Sequence, residues 1–380
     1  LFCVSLVALM SGVLNGFRRF AAAAFAPVAL NVVLIITLGL VYASGWAGSA
    51  TAGLALAIGV ACAGLVQLAL LVIALRRLDF RIPLRRPRWT PGLKRLVQLG
   101  IPGLIAGGGM QIGVWIGTLI ASLQDGAISW LYYADRLYQL PLGLIGIAIG
   151  VVLLPEISRR LRAGDTGGAL WSQNRAMEIA LLLTLPAATA LALAAEPIVR
   201  VLFERGAFGP DATAATAAAL TAYAFGLPAF VIAKIFQPVY FAAEDTRTPA
   251  RFTLIQITIN AAGAAALFPF LGHVGIALAT SVAGWVNVAL LWQGLRRDGR
   301  VAFDARLNGR IPRIVVSAAL MGGLLWFLGE ALAPWLAGET SLGRFAGLAA
   351  LVAAGMAVYA AAALGLGATS VRDLKGVRRA

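Results

Sequence analysis

The residues best suited to chemistry are Asp135 and Arg136, in the segment WLYYADRLYQLP. Both lie inside a long apolar run, where ionisable side chains are costly and usually face a cavity or a partner. A guanidinium keeps its charge and offers a planar fork of donors, which suits it to phosphate. The alternatives are that each side chain pairs with another helix, or that Arg136 extends outward along its stem. The predicted substrate-binding residues are Arg136, Asp135 and Lys234.

Other polar residues in apolar runs have two interpretations each. Lys234, in AFVIAKIFQPVYF, is either a second cavity cation or a neutral, packed side chain. Gln111, Asn260 and Glu178 are candidate cavity or ion-coupling groups. Single amides in membrane spans often only bond across helices, and a glutamate near the end of a span can be interfacial.

The sequence argues against an enzyme. Cys3 and Cys62 both lie in apolar runs, and His273 is the single histidine, so neither a metal site nor a Ser–His–Asp triad is predicted. The glycine-rich segment IPGLIAGGGMQIG is not a phosphate loop, because no GKS or GKT follows it. We therefore expect no metal and no cofactor.

The elements that must position these residues are membrane helices. Of the 380 residues, 60% are hydrophobic and 12% are charged, with a mean hydropathy of +0.87. Soluble domains contain about 25% charged residues. A net charge of +15 on so apolar a chain indicates a polytopic membrane protein. The basic loop RRLDFRIPLRRPRWTPGLKR then fits the anionic cytoplasmic leaflet rather than nucleic acid.

Eleven apolar runs are long enough, or nearly so, to cross a bilayer, which takes about 20 residues. They are too long and too regularly apolar for barrel strands. The first run opens at Leu1, and we expect it to be the remainder of a helix whose start is missing rather than a signal peptide. The runs lie near 1–15, 22–43, 51–75, 95–121, 127–154, 170–194, 212–242, 251–270, 274–295, 311–333 and 343–366.

The distribution of basic residues predicts the orientation of these spans. Of the 31 Lys and Arg residues, 25 fall in one set of alternate loops and in the tail, and 3 fall in the other set. Because basic loops stay in the cytoplasm, this predicts a cytoplasmic C-terminus.

An internal repeat supports a transporter architecture. Residues 53–68 match residues 275–290 at 8 of 16 positions, and both copies run in the same direction. This pattern is typical of parallel repeats with a site between two lobes. We expect four parts along the chain. They are the remainder of an N-terminal lobe (1–75), a basic cytoplasmic linker (76–94), a C-terminal lobe (95–297), and two added helices with the tail (298–380).

Prolines and glycines interrupt two of the spans. Pro102 and Pro141, with GxxxG pairs nearby, indicate either close helix packing or bendable helices that permit alternating access. The segment EPIVRVLFERGAFGPD is typical of a short amphipathic helix at the outer interface.

Three segments together resemble one family. LQDGAISWLYYADRLYQLPLGLIGIAIGVVLLPEISR, VLFERGAFGPDAT and FQPVYFAAEDTRTPARF are similar to the MurJ (MviN) lipid II flippases, within the superfamily that includes MATE exporters. The resemblance implies two six-helix lobes plus two C-terminal helices that shape a groove for a polyprenyl tail. This chain would hold the fourth to fourteenth helices. It also implies that Arg136 is a cavity arginine.

Two departures from the family pattern matter. The first three helices of the family, which carry other cavity arginines, are not in this sequence. Some relatives bind sodium through acidic residues on helices that correspond here to spans with only amides, such as Gln111, Asn260 and Asn287. This departure argues against the sodium site of those relatives, and Na⁺ and the membrane potential both stay candidate driving forces.

The predicted function is translocation of lipid II, an undecaprenyl-pyrophosphate-linked peptidoglycan precursor, across the bacterial inner membrane by alternating access. Lipid II and membrane lipids are the expected partners, with cell-wall synthesis or division proteins as further candidates. The alternative is a cation-coupled multidrug exporter of the MATE type that uses Asp135 or Glu178 as proton carrier. A third possibility is a membrane scaffold that binds such lipids without moving them.

Overall fold

The fold is all-α. The computed structural model describes residues 2–17, 19–78, 94, 113–336, 338 and 340–370, and every regular element among these is helical. In chain order the helices are α1 Phe2–Gly16, α2 Phe20–Ala43, α3 Ala50–Arg76, α4 113–121, α5 Ala127–Pro141, α6 Ala148–Arg162, α7 Thr166–Leu193, α8 Ala195–Phe203, α9 Pro210–Ala242, α10 Arg247–Leu271, α11 His273–Arg297, α12 Ala305–Ala331, α13 Ala333–Leu336 and α14 Ser341–Gly365.

Eight of these helices are long and apolar enough to cross a membrane: α2, α3, α7, α9, α10, α11, α12 and α14. They correspond to eight of the eleven predicted spans. Of the other three, α1 is a shorter apolar helix, the span at 95–121 is described only from 113 onward, and the span at 127–154 is interrupted. The multi-pass, all-α prediction is confirmed, whereas the count of eleven is not.

The chain forms two compact units, Leu1–Lys94 and Arg95–Ala380. In the first unit, α1, α2 and α3 pack around a small apolar core that includes Leu14 and Leu71. The buried side chain of Gln67 on α3 donates from Nε2 to the carbonyl oxygen of Ala26 on α2, at 2.8 Å. This bond satisfies a polar group that would be costly to leave unpaired in an apolar interior.

In the second unit α9 is the central helix and is buried over most of its length. Its longest interface is with α11, where side chains bond to backbone carbonyls of the facing helix. Ser281 Oγ donates to the Ala222 carbonyl at 2.6 Å, and Tyr240 Oη donates to the Leu291 carbonyl at 3.0 Å. Gly226 sits opposite Ser281 at the closest approach. Small residues at such crossings let membrane helices approach closely.

Hydrogen bonds tie helix α7 and loop segments together at the two ends of the second unit. At one end of the second unit, Asn174 at the start of α7 donates to the Ala302 carbonyl, before α12, at 2.8 Å. At the other end, the His273 N–H at the start of α11 donates to Gln124 Oε1, before α5, at 2.9 Å. Each of these bonds joins segments that are more than 120 residues apart in the chain.

The span at 127–154 is not one regular α-helix. Between α5 and α6 the chain forms a π-helical turn, Leu142–Ile147, directly after Pro141. Proline cannot donate a backbone hydrogen bond, and π-helical turns occur where the regular ladder is broken. The irregularity predicted at Pro141 is therefore present, whereas the glycine-rich segment around Pro102 lies outside the described residues.

We expect Gly226→Ala to destabilise the protein by about 1–3 kcal/mol, because an added Cβ would lie 2.8 Å from Ser281 Cα and force α9 and α11 apart. The measurement is the melting temperature of the purified protein in detergent. Gly323→Ala is the control, since nothing lies within 4 Å of a Cβ at that helical glycine. Equal melting temperatures for the two variants would show that the crossing is loose.

Candidate functional site

One side of α5 is polar although this helix begins the predicted span at 127–154. Buried residues recur on α5 every three or four positions, as expected for one face of an α-helix. They pack against the core of the second unit and are Leu131, Ala134, Leu137 and Tyr138. The opposite, more exposed side carries polar groups at positions separated by three or four residues: Tyr132, Asp135, Arg136 and Gln139. A polar face inside a membrane span is expected to border water or a polar ligand rather than lipid tails.

Arg136 is exposed on this polar face. Its guanidinium carbon lies 4.7 Å from the ring centroid of Tyr132, four residues earlier, which is a cation–π contact. The side chain therefore points back toward the N-terminal end of α5, as helical side chains do. No carboxylate within the described residues lies at ion-pair distance from Arg136, so its charge stays available to a ligand.

Asp135 has a different partner from Arg136. Its carboxylate accepts a hydrogen bond from Gln139 Nε2, one turn later on α5. Behind it, Tyr138 packs on Tyr223 of α9 with ring centroids 5.5 Å apart. The two neighbouring charged side chains thus have different contacts: Gln139 for Asp135 and the Tyr132 ring for Arg136. Their side-chain partners lie on α5 itself rather than on another helix.

Lys234 lies at a different depth from Arg136. It is exposed, whereas its neighbours Ala233 and Ile235 on α9 are buried, and its Cγ is 3.5 Å from where a Cβ on Gly146 would stand. Because Tyr138 faces Tyr223 and Gly146 faces Lys234, α5 and α9 run in parallel. Gly146 follows Arg136 by ten residues, of which five lie in α5 and five in the π-helical turn. The structure therefore places the two predicted cations at two levels of the span.

The two amide candidates give little support for a coupling site. Asn260 Oδ1 on α10 accepts a hydrogen bond from Thr280 Oγ1 on α11, at 3.2 Å, so this amide forms a tie between neighbouring helices. Gln111 lies outside the described residues.

Glu178 is the centre of an ion-pair network between α7 and α12. Its carboxylate, only 7% exposed, accepts hydrogen bonds from Arg175, Arg306 and Arg310. Arg175 in turn pairs with Asp304. A carboxylate bound by guanidinium groups of two helices ties α7 to α12, which is a structural role.

Asp304 anchors the start of α12. Burial raises the pKa of this carboxyl, but the N–H of Leu307 and the Arg175 guanidinium outweigh that effect, so the net pKa is lowered. The N–H of Leu307 lies 2.7 Å from Asp304 Oδ1, which is an N-cap. Because the folded pKa is lowered, this contribution to stability is present at neutral pH and is lost only in acid.

Sequence reasoning missed two features that the structure shows. Tyr132 contacts Arg136, and the spacing of four residues on a helix could have revealed it. The partners of Glu178 on α12 are about 130 residues away in the chain, and no local pattern indicates them.

Comparison with known proteins gives a consistent result. Residues 1–345 match a family model described as lipid II flippase MurJ. A probable lipid II flippase MurJ of Rhizobium meliloti (strain 1021) is 49% identical over 374 residues, covering 98% of this chain and 70% of the relative. Its counterpart in Vibrio cholerae serotype O1 is 37% identical over 383 residues, covering 99% of this chain and 70% of the relative.

A solved structure shares the fold. It is described as lipid II flippase MurJ in an inward closed conformation, and it matches with a TM-score of 0.77 at 23% identity. The match covers 95% of this chain and 71% of that one.

We expect Glu178→Gln to destabilise the second unit by about 3 kcal/mol, because it removes the charge of a buried carboxylate that three guanidinium groups contact. Thermal unfolding of the detergent-purified protein measures this. Glu156→Gln is the matched control: Glu156 also pairs with two arginines, Arg159 and Arg160, but these pairs are more exposed and should contribute little. A Glu178→Gln variant that melts like the control would contradict a stabilising role for the network.

Proposed function

This chain belongs to the MurJ family of lipid II flippases, and we propose that it moves lipid II across the bacterial inner membrane by alternating access. The observation that carries the proposal is the exposed guanidinium of Arg136 on the polar face of a membrane-spanning helix, without a carboxylate partner among the described residues. Such a group binds phosphate well, and it needs no proton exchange to do so.

We propose that the tail and the basic loops face the cytoplasm. The uneven distribution of 25 basic residues against 3 supports this orientation. The contacts of Asn174 with Ala302 and of Arg313 with the carbonyl of Gly367 support it further, because they bring basic-set segments to one end. Peptidoglycan-polymerising enzymes outside the membrane would then consume the translocated product, and they are the expected protein partners.

We propose separate roles for the two cations. Lys234 lies beside Gly146, and in the predicted orientation Gly146 is nearer the cytoplasmic end of the span at 127–154 than Arg136 is. Lys234 is therefore on the cytoplasmic side of the path and Arg136 on the outer side. A pyrophosphate entering from the cytoplasm would meet Lys234 first and Arg136 later, while its apolar tail stays in lipid. Two weaker binding sites at different depths would then take the place of one tight site. This suits transport, because a transported group must be released again and so must not bind too tightly at any point.

The π-helical turn between α5 and α6 supports a moving span. Leu142–Ile147 separates the level of Arg136 from the inner half of the span. Within this turn, a Cβ added to Gly143 would have no neighbouring heavy atom within 4 Å, so the turn has open space beside it. A span with a broken ladder can bend there, which alternating access requires.

The exporter alternative is less well supported. Its two proton-carrier candidates both have partners: Glu178 is held by three arginines, and Asp135 accepts from Gln139. Proton-coupled efflux of cationic dyes that disappears in Asp135→Asn would favour the exporter. Binding of lipid II without translocation would favour the scaffold.

We expect Arg136→Ala to lower lipid II translocation at least tenfold, because the pyrophosphate loses a charge-assisted contact worth about 1.5–3 kcal/mol. Arg136→Glu should be worse than alanine, since a carboxylate repels the phosphates. Arg136→Lys should retain part of the activity. Translocation is measured in proteoliposomes and by growth of cells depleted of their own flippase, with the complete open reading frame supplying the protein. Wild-type transport by Arg136→Ala would refute the site.

Lys234 is tested separately. We expect Lys234→Met to slow translocation severalfold while Lys234→Arg remains near wild type, because the inner level needs a cation rather than a particular side chain. The measured quantity is the initial rate in proteoliposomes at several lipid II concentrations. If Lys234→Met transports normally, the lysine only packs against Gly146.

A further inference from the structure

The segment LFERGAF forms an aromatic clamp at the outer end of α5. Phe203 ends α8, and Phe208 follows after a turn in which Gly206 has φ +59°, a conformation that favours glycine. The turn brings both rings onto Tyr133 of α5. The centroid distances to Tyr133 are 4.8 Å for Phe203 and 5.2 Å for Phe208, and the two phenylalanines are 6.1 Å apart.

Aromatic contacts continue from this clamp to the candidate site. Tyr133 meets Tyr132 edge-to-face, with centroids 6.1 Å apart and an interplanar angle of 79°. The Arg136 guanidinium then lies over the Tyr132 ring at 4.7 Å. An unbroken series of ring contacts thus joins α8 to the exposed guanidinium of α5.

The same segment is attached on its other side to the last long helix. Glu204, next to Phe203, accepts from Arg200 at 3.4 Å and from Arg344 near the start of α14 at 3.5 Å. Arg344 Nε also donates to the Gly338 carbonyl at 2.6 Å. The clamp is therefore held in place by α14 as well as by α8.

We propose that Phe203 and Phe208 are positioning residues for Arg136, acting through Tyr133 and Tyr132. This inference rests on the proposed function. A long arginine side chain has many rotamers, and holding it in one of them costs conformational entropy at each binding event. Edge-to-face contacts restrict the orientation of the tyrosine rings, and the face of Tyr132 then holds the guanidinium where a phosphate can reach it.

A purely structural clamp is the competing explanation, in which the phenylalanines only hold α8 against α5. The two explanations differ in a double-mutant cycle. If the clamp acts through Arg136, removing it has no further effect once Arg136 is gone. If it only supports the fold, its loss lowers the melting temperature and adds to the effect of any other variant.

The experiment measures the dissociation constant for lipid II of the full chain in nanodiscs. We expect Phe203→Leu and Phe208→Leu each to weaken binding about fivefold, the size of a modest cation–π contact. Tyr132→Leu should do the same, and Tyr132→Phe should bind like wild type because the ring face remains. In an Arg136→Ala background, Phe203→Leu should cause no additional loss.

Phe225→Leu is the matched control. Phe225 is an exposed aromatic residue on α9 whose ring centroid lies 6.2 Å from that of Trp285, and it takes no part in the clamp. The dissociation constant of the Phe225→Leu variant for lipid II should therefore equal that of the wild type. Wild-type binding by Phe203→Leu, or an additive loss with Arg136→Ala, would overturn the positioning role alone. No binding of lipid II by the unmodified chain would instead overturn the proposed function, and this role with it.

Discussion

The cost of a charge inside the bilayer governs the rest of this structure. Insertion of one Arg, Lys or Asp at the centre of a membrane helix costs about 2.5–3.5 kcal/mol. The chain places 25 of its 31 basic residues in loops on one side and in the tail, and 3 in loops on the other. By the boundaries predicted from the sequence, the remaining three lie within spans or at their ends: Arg136, Arg175 and Lys234. Arg175 is compensated by Glu178 and Asp304, so two cations are left whose cost no described carboxylate offsets.

The position of those two cations depends on α9. Lipid tails are as apolar as leucine, so membrane helices hold together by close packing and by polar ties rather than by hydrophobic burial. Both kinds of contact join α9 to α11. Gly226 packs closely against Ser281, and Tyr240 donates a hydrogen bond to the Leu291 carbonyl. The same helix carries Lys234 and packs Tyr223 against α5 one turn from Asp135. A change in the α9–α11 crossing therefore moves both levels of the site together.

Much of this architecture could be predicted from the sequence because membrane spans are long, apolar and local. Eight spans, the irregularity at Pro141 and the short helix within EPIVRVLFERGAFGPD all follow from composition and spacing. The separate partners of Asp135 and Arg136 follow from helical geometry. The network around Glu178 could not be predicted, because its members are distant in the chain and meet only after α7 and α12 have packed. The clamp on Tyr133 was missed for the same reason.

A permanently charged guanidinium also constrains how such a flippase is driven. A guanidinium keeps its charge at physiological pH, so phosphate binding by an arginine does not in itself couple transport to a proton gradient. A pyrophosphate diester carries about two negative charges, and each gains about 2.3 kcal/mol per 100 mV when it leaves an inside-negative compartment. That gain is available only if the protein does not carry an equal positive charge outward with the substrate. Under the proposed mechanism, cations fixed on α5 and α9 at two depths would meet this condition. They would lower the barrier for the anion along its path, and the field acting on the substrate would then set the direction of transport.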